Sequence, residues 1–115
     1  MSSNIEKRLS ELGVVLPAAG APAGNYIPFV VVGNLVFLSG QVAREAGKMK
    51  YVGKLGRELT VEQGYQQART VGLSILGSLK RALGDLDRVQ QWNRVFGMVS
   101  IQGVNDVLSM ANSVP

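Results

Sequence analysis

The stretch Tyr26–Val42, Y-I-P-F-V-V-V-G-N-L-V-F-L-S-G-Q-V, restricts the fold more than any other part of the chain. Ile27–Val32 and Leu35–Leu38 are rich in β-branched and aromatic residues, and Gly33-Asn34 between them suits a two-residue hairpin loop. A hairpin alone is marginal in water, so another element must cover one of its faces. Pro28 has no amide proton for a ladder, which places the start of the first strand at an edge or a bulge. The second strand runs out into Ser39-Gly40-Gln41. Small residues at that point either terminate the strand, as serine and glycine often do, or leave a hydroxyl and a free backbone for a ligand.

The segments around the hairpin supply candidates for the cover. Ser3-Asn4-Ile5-Glu6 fits a capping box with Ser3 as N-cap and Glu6 reaching back. Ile5, Leu9 and Leu12 then share one helical face, and Gly13 ends the helix. Val14–Leu16 is short enough for a brief strand, and P-A-A-G-A-P-A-G over Pro17–Gly24 is a loop of small residues. Beyond the hairpin, Arg44–Lys50 reads as a polar turn and Tyr51–Gly56 as a glycine-broken segment.

Thr60 opens one long helix through a second capping box, Thr60-Val61-Glu62-Gln63. Its apolar stripe is Val61, Tyr65, Ala68, Gly72, Ile75, Leu79, Leu83, with Gly72 the expected point of close approach to a sheet. Gly84 ends the helix and Asp85-Leu86-Asp87 makes a turn, so these paired carboxylates read as turn residues. Val89–Ile101 alternates like a last strand, joined to the hairpin sheet by a right-handed crossover. Trp92 on it reads as core or interface. Asn105–Asn112 resembles the first turns of another helix.

The residue inventory excludes much chemistry. The 115 residues contain neither histidine nor cysteine, which removes Ser-His-Asp and Cys-His mechanisms, disulfides and the usual zinc ligand sets. No metal site and no cofactor is expected. The composition, 46% hydrophobic and 17% charged, is that of one globular domain. No signal peptide or membrane span is read, so the expectation is a cytoplasmic protein with no membrane partner. A net charge of +4 points weakly to RNA. The cations are scattered, however, with only Lys48, Lys50, Lys54 and Arg57 in a loose, solvated group, and no aromatic residues interleave them for base stacking.

The order of several segments carries a resemblance. G-N-Y-I-P-F-V, then V-G-N-L-V-F-L-S-G-Q-V, then Y-V-G-K-L-G, followed by the helix and L-G-D-L-D-R-V, resembles the YjgF/RidA family, also called endoribonuclease L-PSP. The long helix and V-F-G-M-V are similar to its longer-N-terminus subgroup, and the likeness runs from about Ile5 to Val99. It implies a chorismate-mutase-like α+β fold, a mixed sheet backed by helices, with 1–115 as one RidA-like domain lacking the family's last section. It also implies a homotrimer with clefts between subunits. Family members hydrolyse enamine/imine intermediates to 2-oxo acids and ammonia, and others are translation inhibitors, ribonucleases or ligand binders.

Carried over by position, Tyr26 matches the aromatic residue lining the cleft, although it serves equally as a packing residue. Ser39 and Gly40 match the strand end that faces the ligand, and Met98, Val99 and Ser100 fall where the family's fourth strand meets the same cleft. The family's arginine for the substrate carboxylate, and a late carboxylate that positions water, lie in sections after those present in these 115 residues. Arg57 and Arg94 are not in the matching place. A bidentate arginine–carboxylate pair is hard to replace with a neutral donor. The expectation is therefore a RidA-like enamine/imine deaminase that takes a small imine or 2-oxo acid in the cleft, with little or no hydrolysis from these 115 residues, and no catalytic residue is assigned. A non-catalytic binding or interaction trimer is the alternative, and RNA cleavage or translation inhibition a further one.

Overall fold

A computed structural model describes residues 4–17, 27–45, 48–49 and 51–102. Among these residues the architecture is α+β: two α-helices, α1 (Asn4–Glu11) and α2 (Val61–Leu83), with antiparallel strand pairs. The chain divides into two compact units, Met1–Val42 with Gly72–Asn93, and Ala43–Val71 with Arg94–Pro115. The long helix α2 contributes its second half to the first unit and its first half to the second.

In the first unit β1 (Phe29–Val32) pairs with β2 (Leu35–Leu38) in antiparallel register, Phe29 opposite Leu38 and Val32 opposite Leu35. Gly33 takes φ +59°, and the turn needs that positive φ at its first central position. The pairing continues past the strands, where the Ser39 N–H donates to the Pro28 carbonyl at 3.0 Å. Helix α1 ends in a Schellman motif. Gly13, at φ +68°, donates to Ser10 O at 3.1 Å, and Val14 N donates to Leu9 O at 2.9 Å.

The N-terminus of α1 differs from the expected capping box. Its orphan N–H groups are taken by a distant side chain, with Asn4 N and Ile5 N donating to the two Asp87 carboxylate oxygens at 2.7 and 2.9 Å. The Glu6 carboxylate pairs with Lys80 of α2 at 2.7 Å. Ser3 lies outside the described residues. Asp87 itself sits in a single 3-10 turn, Leu86–Arg88, capped by the Asp85 side chain accepting from Asp87 N at 2.9 Å. No residue of α1 is buried, so polar contacts at its ends hold it more than apolar area does.

Residues 14–17 form no strand. They have no ladder partner among the described residues, with Val14 and Leu16 half-buried and Val15 exposed to solvent. This strap then crosses α2 so closely that a Cβ on Gly77 would meet the Pro17 carbonyl oxygen at 2.4 Å. Gly72, the glycine expected to allow close approach, has nothing within 4 Å of where its Cβ would lie. The approach is to a strap and not to a sheet, and it falls where the strap crosses. Leu79 and Leu86 are the buried apolar residues of this unit.

In the second unit the expected polar turn is a small hairpin of β3 (Arg44–Glu45) and β4 (Lys48–Met49). Leu55 is the anchor, 4% exposed. Its N–H donates to Ser100 O and its carbonyl accepts from Gln102 N, both at 3.0 Å. Helix α2 starts on the expected reciprocal cap: Gln63 N donates to Thr60 Oγ1 at 3.1 Å, and Thr60 N to Gln63 Oε1 at 2.9 Å. The sheltered face of this half is rotated from the expected stripe. Gly64, Gln67 and Val71 are half-buried, whereas Val61, Tyr65 and Ala68 are exposed. Two contacts fix that rotation, Leu55 against Gly64 and the Gln67 amide donating to the Tyr51 carbonyl.

The last strand is absent among the described residues. Residues 89–99 show no ladder hydrogen bonds among the described residues, and of this segment only Ile101 bridges Leu55, in parallel sense, through Ser100 O and Gln102 N. A strand needs a neighbour for its N–H and C=O groups, and among the described residues only Leu55 provides one. The crossover sheet does not form there, and Trp92 is half exposed rather than core. The segment expected as a further helix, 105–112, lies outside the described residues.

Candidate functional site

The end of β2 combines one committed residue with one open backbone group among the described residues. Ser39 is half-buried, and its hydroxyl donates to the Ile27 carbonyl on the facing strand. Together with Ser39 N on Pro28 O, this extends the hairpin by side-chain and main-chain bonds from one residue. The hydroxyl proton is therefore spent, while the oxygen keeps lone pairs able to accept. Gly40 is exposed, and the space its missing side chain would occupy holds nothing within 4 Å. Among the described residues nothing accepts from its N–H. An open backbone donor beside an accepting hydroxyl can orient a carboxylate, a carbonyl or a water.

The other expected site residues divide as follows. Tyr26 lies outside the described residues. Met98, Val99 and Ser100 fall in the second unit, all exposed, with the Ser100 carbonyl held by Leu55 N. The structure thus brings Ser39 to Gly40 in one unit and Met98 to Ser100 in the other.

Of the cations near the glycine-broken loop, the Arg57 side chain is paired. Arg57 Nε donates to Glu58 Oε1 at 2.5 Å, and Glu58 Oε2 accepts from Lys54 N at 3.0 Å. The bond from Arg57, then that from the Lys54 amide, holds the Glu58 carboxyl down at about 2 from the ordinary 4.5. The same partner raises the Arg57 guanidinium. Arg94 lies 5.9 Å from the Phe96 ring centroid. The R-E dipeptide after K-L-G was the available signal for the Arg57–Glu58 pair, and charge counting alone passed over it. Among the described residues no group of three or more acidic, histidine or cysteine side chains gathers to hold a metal ion, and no helix is long and apolar enough to cross a membrane.

An α+β chain with a hairpin ending in S-G-Q ahead of a long capped helix defines a class, and comparison with known proteins identifies it. Residues 6–108 match the family described as "YjgF/chorismate mutase-like, putative endoribonuclease". The chain belongs to that family, and its fold is chorismate-mutase-like. It is 40% identical over 90 residues to Protein TCP17 of Trypanosoma cruzi, covering 78% of this chain and 56% of that protein. It is also similar to a "putative endoribonuclease" from Shewanella oneidensis MR-1, with TM-score 0.72 and 39% identity over 77% of this chain and 59% of that one. The Agrobacterium tumefaciens protein Atu1372, of unknown function, gives TM-score 0.64 and 41% identity over 76% of this chain and 53% of that one. The chain thus spans a little over half the length of these relatives.

Proposed function

We propose that this chain binds small 2-imino or 2-oxo acids at the end of β2, as the strand-end part of a RidA-like enamine/imine deaminase of the cytoplasm. The observation that carries the reading is the uncommitted Gly40 N–H beside the Ser39 oxygen, at the position the family resemblance assigns to the ligand. In the hydrolysis, water adds to the imine carbon, the proton passes to nitrogen, ammonia leaves and the 2-oxo acid remains. The Ser39 oxygen would accept from the water, and the Gly40 N–H would donate to a substrate oxygen. In this reading the strand end supplies the binding part, and turnover also draws on the family's late arginine and carboxylate. A homotrimer with the site between subunits fits the exposed apolar side chains of the hairpin, among them Val30, Val32 and Phe37.

The test is a titration with 2-oxobutyrate followed by amide NMR, with ammonia release measured from 2-imino acids generated in situ. Saturable shifts of the Ser39 and Gly40 amides without ammonia release are expected. An unmoved Gly40 amide would remove the reading, and rapid ammonia release would overturn the division between binding and turnover. Cleavage of single-stranded RNA is a second reading, favoured by the family's description and the +4 charge. It requires RNA affinity that falls steeply with salt.

A further inference from the structure

The first unit holds a concavity that the strand-end reading does not use. Between α1, the strap that follows it and the last turns of α2 lies an open groove of about 890 Å³. That volume is within the range of about 300–1,000 Å³ usual for small-ligand sites. Leu9, Val14 and Leu16, all half-buried, supply aliphatic wall, and the lining contains no aromatic residue.

Three charged side chains line the groove: Glu6, Lys80 and Arg81. Glu6 and Lys80 neutralise each other at 2.7 Å. Arg81 has no ion pair or hydrogen bond among the described residues, which leaves one positive charge unmatched. A cation in the last turn of a helix commonly serves the terminal carbonyls. Two of those are already served here, since Lys80 O accepts from Gly84 N at 2.7 Å and Leu83 O from Arg88 Nη1 at 2.9 Å. The Ser10 hydroxyl is on the same lining and also lacks a side-chain partner among the described residues.

We propose that this groove binds a small aliphatic monocarboxylate, its carboxylate on Arg81 and its hydrocarbon chain along Leu9, Val14 and Leu16. One unmatched cation suits a single negative charge, whereas a nucleotide would call for several cations and a stacking surface. The groove keeps its shape because Asp87 and Lys80 hold α1 at two points, through Asn4, Ile5 and Glu6. The inference is independent of the strand-end reading.

Octanoate is the probe, titrated into the protein under amide NMR, with octylamine and octanol as controls. Octanoate is expected to shift the amides of 9–16 and 77–84 saturably while the Ser39 and Gly40 amides stay in place. Octylamine should bind more weakly than octanol. Arg81 is exposed, so Arg81→Gln leaves the fold intact, and it should weaken octanoate about tenfold or more by removing a charge-assisted hydrogen bond. Absence of saturable shifts on this lining would overturn the proposal. So would octylamine binding as tightly as octanoate, or an Arg81→Gln variant with unchanged affinity.

Discussion

Replacing Gly77 with alanine sets two opposing effects against each other inside one helix. Alanine in a helix interior is worth about 1 kcal/mol over glycine. The new Cβ, however, would sit 2.4 Å from the Pro17 carbonyl oxygen, where a carbon–oxygen contact needs about 3.3 Å. The strap must therefore retreat by about 1 Å. The obstacle is backbone, which cannot rotate away as a side chain would. Overpacking of this kind costs about 1–3 kcal/mol, so the net effect is a loss of roughly 1 kcal/mol. Gly72→Ala is the matched control in the same helix, because nothing lies within 4 Å of its Cβ position. It should be stabilised by the full propensity gain of about 1 kcal/mol. The two variants should then differ by about 2 kcal/mol, a gap of about 1 M between their urea midpoints at an m-value of about 2 kcal/mol/M. Circular dichroism at the helix band reads both transitions. A Gly77→Ala midpoint equal to or above that of Gly72→Ala would refute the close crossing of strap and helix.

Two further perturbations address the polar contacts. Asp87→Ala removes both acceptors at the start of α1 and should cost about 1 kcal/mol. Hydrogen exchange should quicken through Asn4–Glu11 and stay unchanged in the first half of α2, and unaltered protection of α1 would count against the remote cap. The Glu58 carboxyl should titrate at about 2, well below 4.5. Its folded value is depressed, so its favourable interaction is complete above the unfolded value and is lost as pH falls through about 2. Carboxyl NMR checks this directly: Arg57→Gln should move the midpoint up towards 4.5, and the same midpoint in both proteins would remove the Arg57 pairing as its cause.

The parts of the fold that were legible in the sequence are those whose hydrogen bonds close over a few residues. Gly33 at φ +59°, the Thr60–Gln63 reciprocal cap and the Gly13 Schellman turn each need only neighbours, and their residue types state the requirement. The features that escaped depend on partners far along the chain. Asp87 caps a helix that starts 83 positions earlier, and no local pattern in S-N-I-E records that. The placement of the tight glycine was missed for the same reason. Three glycines punctuate α2, and only the paths of Leu55 and Pro17 decide that Gly64 and Gly77 are crowded while Gly72 is not. Alternation over 89–100 describes which side chains would share a face, but it names no neighbour for the backbone.

The strand end shows how far residue types alone constrain a site. S-G-Q was legible as either a terminator or a ligand edge, and the two readings differ in which donors are already occupied. The structure separates the two residues on that point. Ser39 spends its proton on the Ile27 carbonyl and its N–H on Pro28, which is the behaviour of a terminator. Gly40, beside it, has no acceptor for its N–H among the described residues and open space where a Cβ would lie, as the proposed ligand edge requires. A chemical role for Ser39 is therefore limited to accepting a hydrogen bond unless the hairpin bond opens. Acid catalysis by its hydroxyl would cost that bond at each turnover, whereas holding a water or a substrate N–H costs nothing in the hairpin. In the proposed site the donor is the Gly40 backbone, which S-G-Q already allowed as a free backbone at the strand end.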